Sequence, residues 1–154
     1  MEKIYFEELL TSNNITAPQN LGLLPYNFDS AKSPADFEFS MLEKEIIHAF
    51  ENKIIIDHVI NVEDPIYREN RSASLILPIF CVGQLISNNP VLFQLLLNLT
   101  SSFLYDKIKT LGQSNNVKMK MLKVNSKEST YLEYEGTIEG LKEITKWKEI
   151  EHER

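Results

Sequence analysis

The chain has a single cysteine, one tryptophan and five glycines in 154 residues, and its acidic residues outnumber its basic ones by 22 to 16. A lone cysteine excludes an internal disulfide. Cys81 sits in Ile79-Phe80-Cys81-Val82, where a thiol acts as a small apolar core residue, and this fits a reducing compartment. The glycines, Gly22, Gly83, Gly112, Gly136 and Gly140, are scattered, and none opens a strand-to-helix phosphate loop, so no nucleotide cofactor is expected. No histidine and cysteine cluster has metal-ligand spacing, so no metal is expected either. The formal charge of −6 leaves no global field to collect phosphate backbones, which disfavours general nucleic-acid binding. Lys118, Lys120, Lys123 and Lys127 form a local basic group, a pattern that a half-exposed strand also carries as solubilising charge. Met1-Glu2-Lys3-Ile4-Tyr5-Phe6-Glu7-Glu8 places acids where a secretory signal needs its apolar stretch, so the expected location is cytoplasmic.

What is present is an ordinary globular balance, 43% hydrophobic and 25% charged, enough for one core without staples. The expected product is a single α+β domain over residues 1–154. Apolar residues Ile4, Phe6, Leu9 and Leu10 predict a short helix over residues 2–10. Residues 11–36 hold Pro18, Gly22, Pro25 and Pro34 and read as an extended arm or loop, with Leu23, Tyr26 and Phe28 among its anchors. So long an irregular segment either wraps its own domain or docks a partner. Phe37 and Phe39 alternate like a strand, and residues 41–52 have helical spacing. The β-branched stretch 53–62, Lys-Ile-Ile-Ile-Asp-His-Val-Ile-Asn-Val, predicts a strand buried on both faces.

No charged residue occurs between Arg71 and Asp106, and this run defines the expected centre of the fold. Ser87-Asn88-Asn89-Pro90 divides it: an asparagine can cap a new helix and a proline suits its first turn. A helical hairpin over residues 74–109, with arms near 74–87 and 90–109, is the prediction. Each arm offers about 14–16 uncharged residues, fewer than the roughly 20 that span a bilayer. Pro78, Gln84, Gln94, Asn98 and Thr100 are also costly against lipid. Arg68 and Arg71 before the run, with Lys107 and Lys109 after it, are what a membrane-entering hairpin would carry on one side, so insertion stands as an alternative. The second arm is apolar nearly all round and needs cover on every side. Leu92, Phe93, Leu96 and Phe103 are therefore candidate interface residues, with Leu23, Tyr26 and Phe28 of the arm.

Downstream, Val117-Lys118-Met119-Lys120-Met121 alternates like a half-exposed strand, and Leu122-Lys123-Val124 shifts that phase, which suggests a bulge. A turn at 125–129 leads into 130–135 as the second strand of a hairpin. Ile138, Leu141, Ile144, Trp147 and Ile150 then predict a last helix capped by Thr137, making residues 117–150 a ββα unit.

Catalytic candidates are few. His152 lies in the tail, and His48 sits on the predicted helix among Ile46, Ile47 and Phe50. His58 follows Asp57, and a carboxylate beside an imidazole can orient a general base, yet neighbours on a strand point to opposite faces. Glu43, Glu45 and Glu51 read as a solvated helix face.

Residues 87–141, with Ser87-Asn88-Asn89-Pro90, the basic strand and Tyr134-Glu135-Gly136-Thr137-Ile138-Glu139-Gly140-Leu141, resemble a segment of small bacterial proteins to which no activity is attached. The resemblance covers about a third of the chain. It implies a bacterial setting, in which defence against phage is one expectation, and the unity of the C-terminal half. The leading functional expectation is a non-enzymatic interaction or regulatory subunit that forms a homo-oligomer or binds a protein partner. The competitors are a membrane-active protein whose 72–105 hairpin inserts, and a small hydrolase built on His48 or His58.

Overall fold

The computed structural model describes residues 15–68, 75–112, 115–124 and 129–150. The helix expected over 2–10, Lys127 and His152 lie outside them. Along the chain the elements are β1 (Leu21–Leu24), β2 (Glu38–Ser40), α1 (Leu42–Phe50), β3 (Ile66–Arg68), β4 (Ile79–Val82), α2 (Gln84–Ser87), α3 (Pro90–Leu111), β5 (Asn116–Val124), β6 (Ser129–Thr137) and β7 (Lys148–Glu149). Tight 3-10 turns occupy Pro34–Asp36, Glu139–Lys142 and Ile144–Lys146. The fold is mixed α+β: a five-stranded sheet in the order β1-β4-β5-β6-β7 and a two-stranded parallel sheet of β2 and β3. Within the large sheet only β4 and β5 run parallel.

Both faces of that sheet are covered. Leu21, Leu23, Phe80, Val82, Val117, Met119 and Met121 face a core closed by α1 and α3. Leu24, Ile79, Cys81, Leu122 and Tyr131 face a second core built with Phe28, Phe37, Phe39 and Val59. Alternate side chains of β4 thus enter different cores, the period of two that a strand imposes. Two covered faces also explain the phase shift in β5. No bulge is present, because the β5–β6 register runs unbroken from Asn116↔Thr137 to Val124↔Ser129.

The first arm of the expected hairpin is not a helix. Residues 79–82 form β4, and only the single turn of α2 follows before α3. A short run apolar on both faces has the same pattern in a buried strand as in a buried helix, and Ile79, Phe80 and Val82 favour the strand. Gly83 enforces the switch, since a Cβ there would lie 2.3 Å from the Pro18 carbonyl oxygen. The restart matches expectation: Asn89 Oδ1 accepts hydrogen bonds from the amides of Val91 and Leu92, and Gly112 closes α3 at φ 67°. No helix among the described residues is long and apolar enough to cross a membrane.

Two further expectations change. The 11–36 segment is no free arm, because its residues 21–24 form β1, fully buried beside β4. The predicted 53–62 strand is an extended strap along the edge of β1, joined by one bridge between Leu21 and Ile56 and by hydrogen bonds from Asp57 N to Leu21 O (2.7 Å) and Leu21 N to Ile55 O (3.3 Å). Its isoleucines split accordingly, with Ile54 buried and Ile55 67% exposed.

The last helix is replaced by two 3-10 turns and β7, so the C-terminal unit is not ββα. Tyr134 explains this. Its hydroxyl donates to the Thr137 carbonyl (2.5 Å), and a Cβ on Gly136 or Gly140 would lie 2.7 or 2.1 Å from that oxygen. The two glycines fold the chain tightly around the ring. Ser101 Oγ then donates to Ile138 O (3.1 Å) and Trp147 Nε1 to Leu141 O (3.1 Å), pinning the turns to α3 and to themselves. Apolar spacing is satisfied without an α-helix.

Candidate functional site

Of the four interface residues expected on α3, two are buried by the chain itself and two are half-buried. Leu96 and Phe93 are buried in the helical core with Leu23, and Phe28 is buried in the opposite one. Leu92 and Phe103 are half-buried against the first core, and Tyr26 is half-buried while its amide donates to Glu38 O. What α3 shows to solvent is Val91 and Tyr105 among Gln94, Asn98, Ser102 and Lys109. That face is mostly polar.

Exposed apolar surface gathers elsewhere, around α1. Leu42, Ile46 and Phe50 form its buried stripe, which leaves Ile47 outside at 43% exposure. Ile55 of the strap lines a groove with it and Tyr67 of β3 a cleft, and Ile66 of the exposed strand β3 and Met41 just before the helix are exposed as well. Met41 N donates to Arg68 O (3.1 Å), which fixes the start of α1 against β3.

A cleft of about 270 Å³ opens between α1, the strap and β3, walled by Leu23, Phe39, Val59, Ile60 and Val62 and carrying Glu43, Asp57, His58 and Tyr67. It is smaller than the ~300–1,000 Å³ that houses a typical metabolite or drug-sized ligand. Glu43 is its unusual member. One carboxylate oxygen, Oε2, is shut off from water and has no hydrogen-bond partner among the described residues. Burial pushes the carboxyl up to about 7, a rise that the positive charge of Lys44 only partly opposes. An ionised oxygen without donors in a poorly solvated place costs free energy, so the proton is retained. Lys44 itself lies over the Tyr67 ring, 5.3 Å from its centroid, a cation–π contact.

The catalytic candidates divide between two places. Asp57 accepts the Asn20 amide at 2.8 Å and so braces the strap. His58 is exposed and lines the cleft with Glu43 and Asp57. His48 is instead in an adjoining groove with Lys44, Ile47, Lys53, Ile55 and Ile56. There its Nδ1 is 3.7 Å from Glu51, both side chains being solvent-exposed. Of the acids expected on a solvated face, Glu45, which pairs with Lys107, and Glu51 are exposed, while Glu43 turns inward. No serine, threonine or cysteine lines the cleft. No group of three or more metal-ligating side chains occurs among the described residues.

The basic strand is also committed. Lys120 meets Asp29 at 3.0 Å, and Asp29 also accepts the Tyr131 hydroxyl at 2.6 Å. Lys118 lies 3.7 Å from Glu133, and Lys123 stands 4.4 Å over the Phe93 ring. Burial, together with Asp29, raises the Tyr131 hydroxyl well above its ordinary range, so it stays a donor at any physiological pH. The Cys81 thiol, fully buried, is pushed up to about 12 and is inert for the same reason.

Comparison with known protein families, with curated proteins and with solved structures returns no match to this chain.

Two signals for the cleft were present in the sequence. Ile47 falls off the Leu42–Ile46–Phe50 stripe, and three consecutive isoleucines in an extended strap must send the middle one away from its neighbours. Nothing in the sequence marks Glu43, whose environment comes from β3 and the strap, distant along the chain.

Proposed function

We propose that the chain is a non-enzymatic interaction subunit of a bacterial or phage protein assembly, and that it docks a protein partner on the face around α1. The observation that carries this is the placement of exposed apolar side chains. Of nine large ones in the described residues, Met41, Ile47, Ile55, Ile66 and Tyr67 all belong to α1, its entry, the strap and β3. Scattered exposed apolar residues are normal on a monomer, but a collected patch around a concave, acid-bearing cleft is the usual mark of an interface. The bacterial setting rests on the resemblance of residues 87–141 alone, and a role in defence belongs to the same part of the proposal.

Site-specific photocrosslinking tests the reading. A photoreactive residue at Ile55 or Ile66 is expected to capture protein in cells, whereas one at Val91 on α3 or at Ile144 on the C-terminal turns is not. Equal yields at all four positions, or none at Ile55 and Ile66, overturn it.

A hydrolase reading retains one supporting observation, that His58 shares the cleft with Glu43, whose proton is held to near neutrality. It is the lesser reading because the cleft offers no serine, threonine or cysteine as nucleophile, and His48 lies in the adjoining groove.

A further inference from the structure

The face around α1 carries two adjoining depressions of opposite character, divided by Ile47 and Ile56, which wall both. On one side is the cleft with Glu43 and Asp57. On the other is a groove of about 550 Å³ whose rim carries Lys44 and the exposed Lys53 beside Ile55. The groove also holds Glu51, 3.7 Å from His48, and its two lysines outnumber that one acid.

A surface that binds a copy of itself through a two-fold axis needs a feature and its complement on opposite sides of that axis, since each is used twice. The α1 face meets this requirement. A partner of one charge would complement only one of the two depressions and leave the other unsatisfied.

Resting on the docking reading above, we propose that the occupant is a second copy of this chain, turned about a two-fold axis near Ile47 so that the Lys53 ammonium of each copy enters the Glu43 cleft of the other. Ile47 and Ile55 then meet their symmetry mates and lose their contact with water. The cleft is narrow enough for one side chain and apolar enough to hold the stem of a lysine, whose methylenes pack on such walls while the head reaches a carboxylate. Glu43 gains an ammonium in the cleft itself, where its own chain supplies only the partly opposing charge of Lys44.

The charge arrangement sets the sign of the pH response. Glu43 faces Asp57, His58 and Tyr67 across the cleft and has Lys44 beside it on α1. The copy that receives the ammonium must ionise Glu43, so association releases protons and tightens as pH rises from about 6 to about 8. Added salt weakens the complex by screening the exchange of charges.

Sedimentation velocity on the full chain, over a range of concentrations, two pH values and two salt concentrations, tests this. The expected result is a reversible dimer that tightens with pH and loosens with salt. Lys53→Met and Glu43→Gln should each weaken it about tenfold and flatten its pH dependence. Ile55→Asp should abolish it. Lys53 and Ile55 are exposed, so these variants keep the fold, and circular dichroism confirms that they do. A monomer at every concentration overturns the second copy, as does a dimer indifferent to both Lys53→Met and Ile55→Asp. If the chain is monomeric while crosslinks at Ile55 capture a different protein, the second copy falls and the docking reading stands; if neither dimer nor crosslink is found, both fall.

Discussion

Helices α1 and α3 invert what their compositions promise. The longer one is dense in leucine and phenylalanine, yet it packs its apolar side chains against the sheet, α1 and the C-terminal turns and shows solvent a mostly polar face. The shorter intersperses Glu43, Lys44, Glu45 and His48 with its apolar residues, and it is beside this one that isoleucines stand exposed and a carboxyl oxygen lies buried without a hydrogen-bond partner among the described residues. Apolar density measures how much a segment needs cover. It does not say who provides the cover, and in this fold the chain provides it for α3 and withholds it from the surroundings of α1.

The contrast can be broken most severely at the centre of α3. Leu96→Ala removes a side chain with no exposure at all and should cost about 3–4 kcal/mol, read as a drop in the urea midpoint. Next, Gly83→Ala forces a methyl against the backbone of Pro18 and Gln19, at 2.3 and 2.4 Å, and these atoms can move only by shifting β1. Its expected cost is about 3 kcal/mol, in the same assay.

On α1 the sign reverses. The protonated Glu43 carboxyl is the form the fold accepts, so the stability it allows is complete below about pH 4.5 and is lost as pH climbs through about 7. Glu43→Gln removes that loss. The variant should be more stable than the parent by on the order of 2 kcal/mol at about pH 8, discounted for partial exposure, and little different at about pH 4. Urea denaturation at both pH values, at concentrations too low for self-association, checks it. Smallest is Val91→Ser at the outer start of α3, where 77% exposure predicts a change within about 0.5 kcal/mol. A larger loss there would mean that α3 is covered by something beyond its own chain, and the comparison would have to be redrawn.

Local chemistry was readable where a few neighbouring residues decide the outcome. Asn89 and Pro90 announce the start of α3, and the alternation from Val117 to Met121 announces β5 and its hairpin with β6. Reading failed where distant partners decide. Ile79–Val82 is a strand because β1 and β5 lie on either side of it, information absent from any window of four apolar residues. Residues 138–147 keep helical spacing but wrap Tyr134, since the glycines at 136 and 140 admit its ring. The cleft shares this limit: its residues come from α1, β3 and the strap, and Glu43 looks like any helix-surface glutamate until β3 and the strap close over it.

The position of β4 between β1 and β5 bears on the order in which the protein can form. Its earlier neighbour is made more than fifty residues before it, and its later one only after the whole of α3. During synthesis the chain that precedes β5 therefore carries Phe80 and Val82 with one side of the strand unpaired. The local β5–β6 hairpin must emerge before the sheet can close, which makes closure a late, non-local step and the nascent β4 the segment most in need of protection.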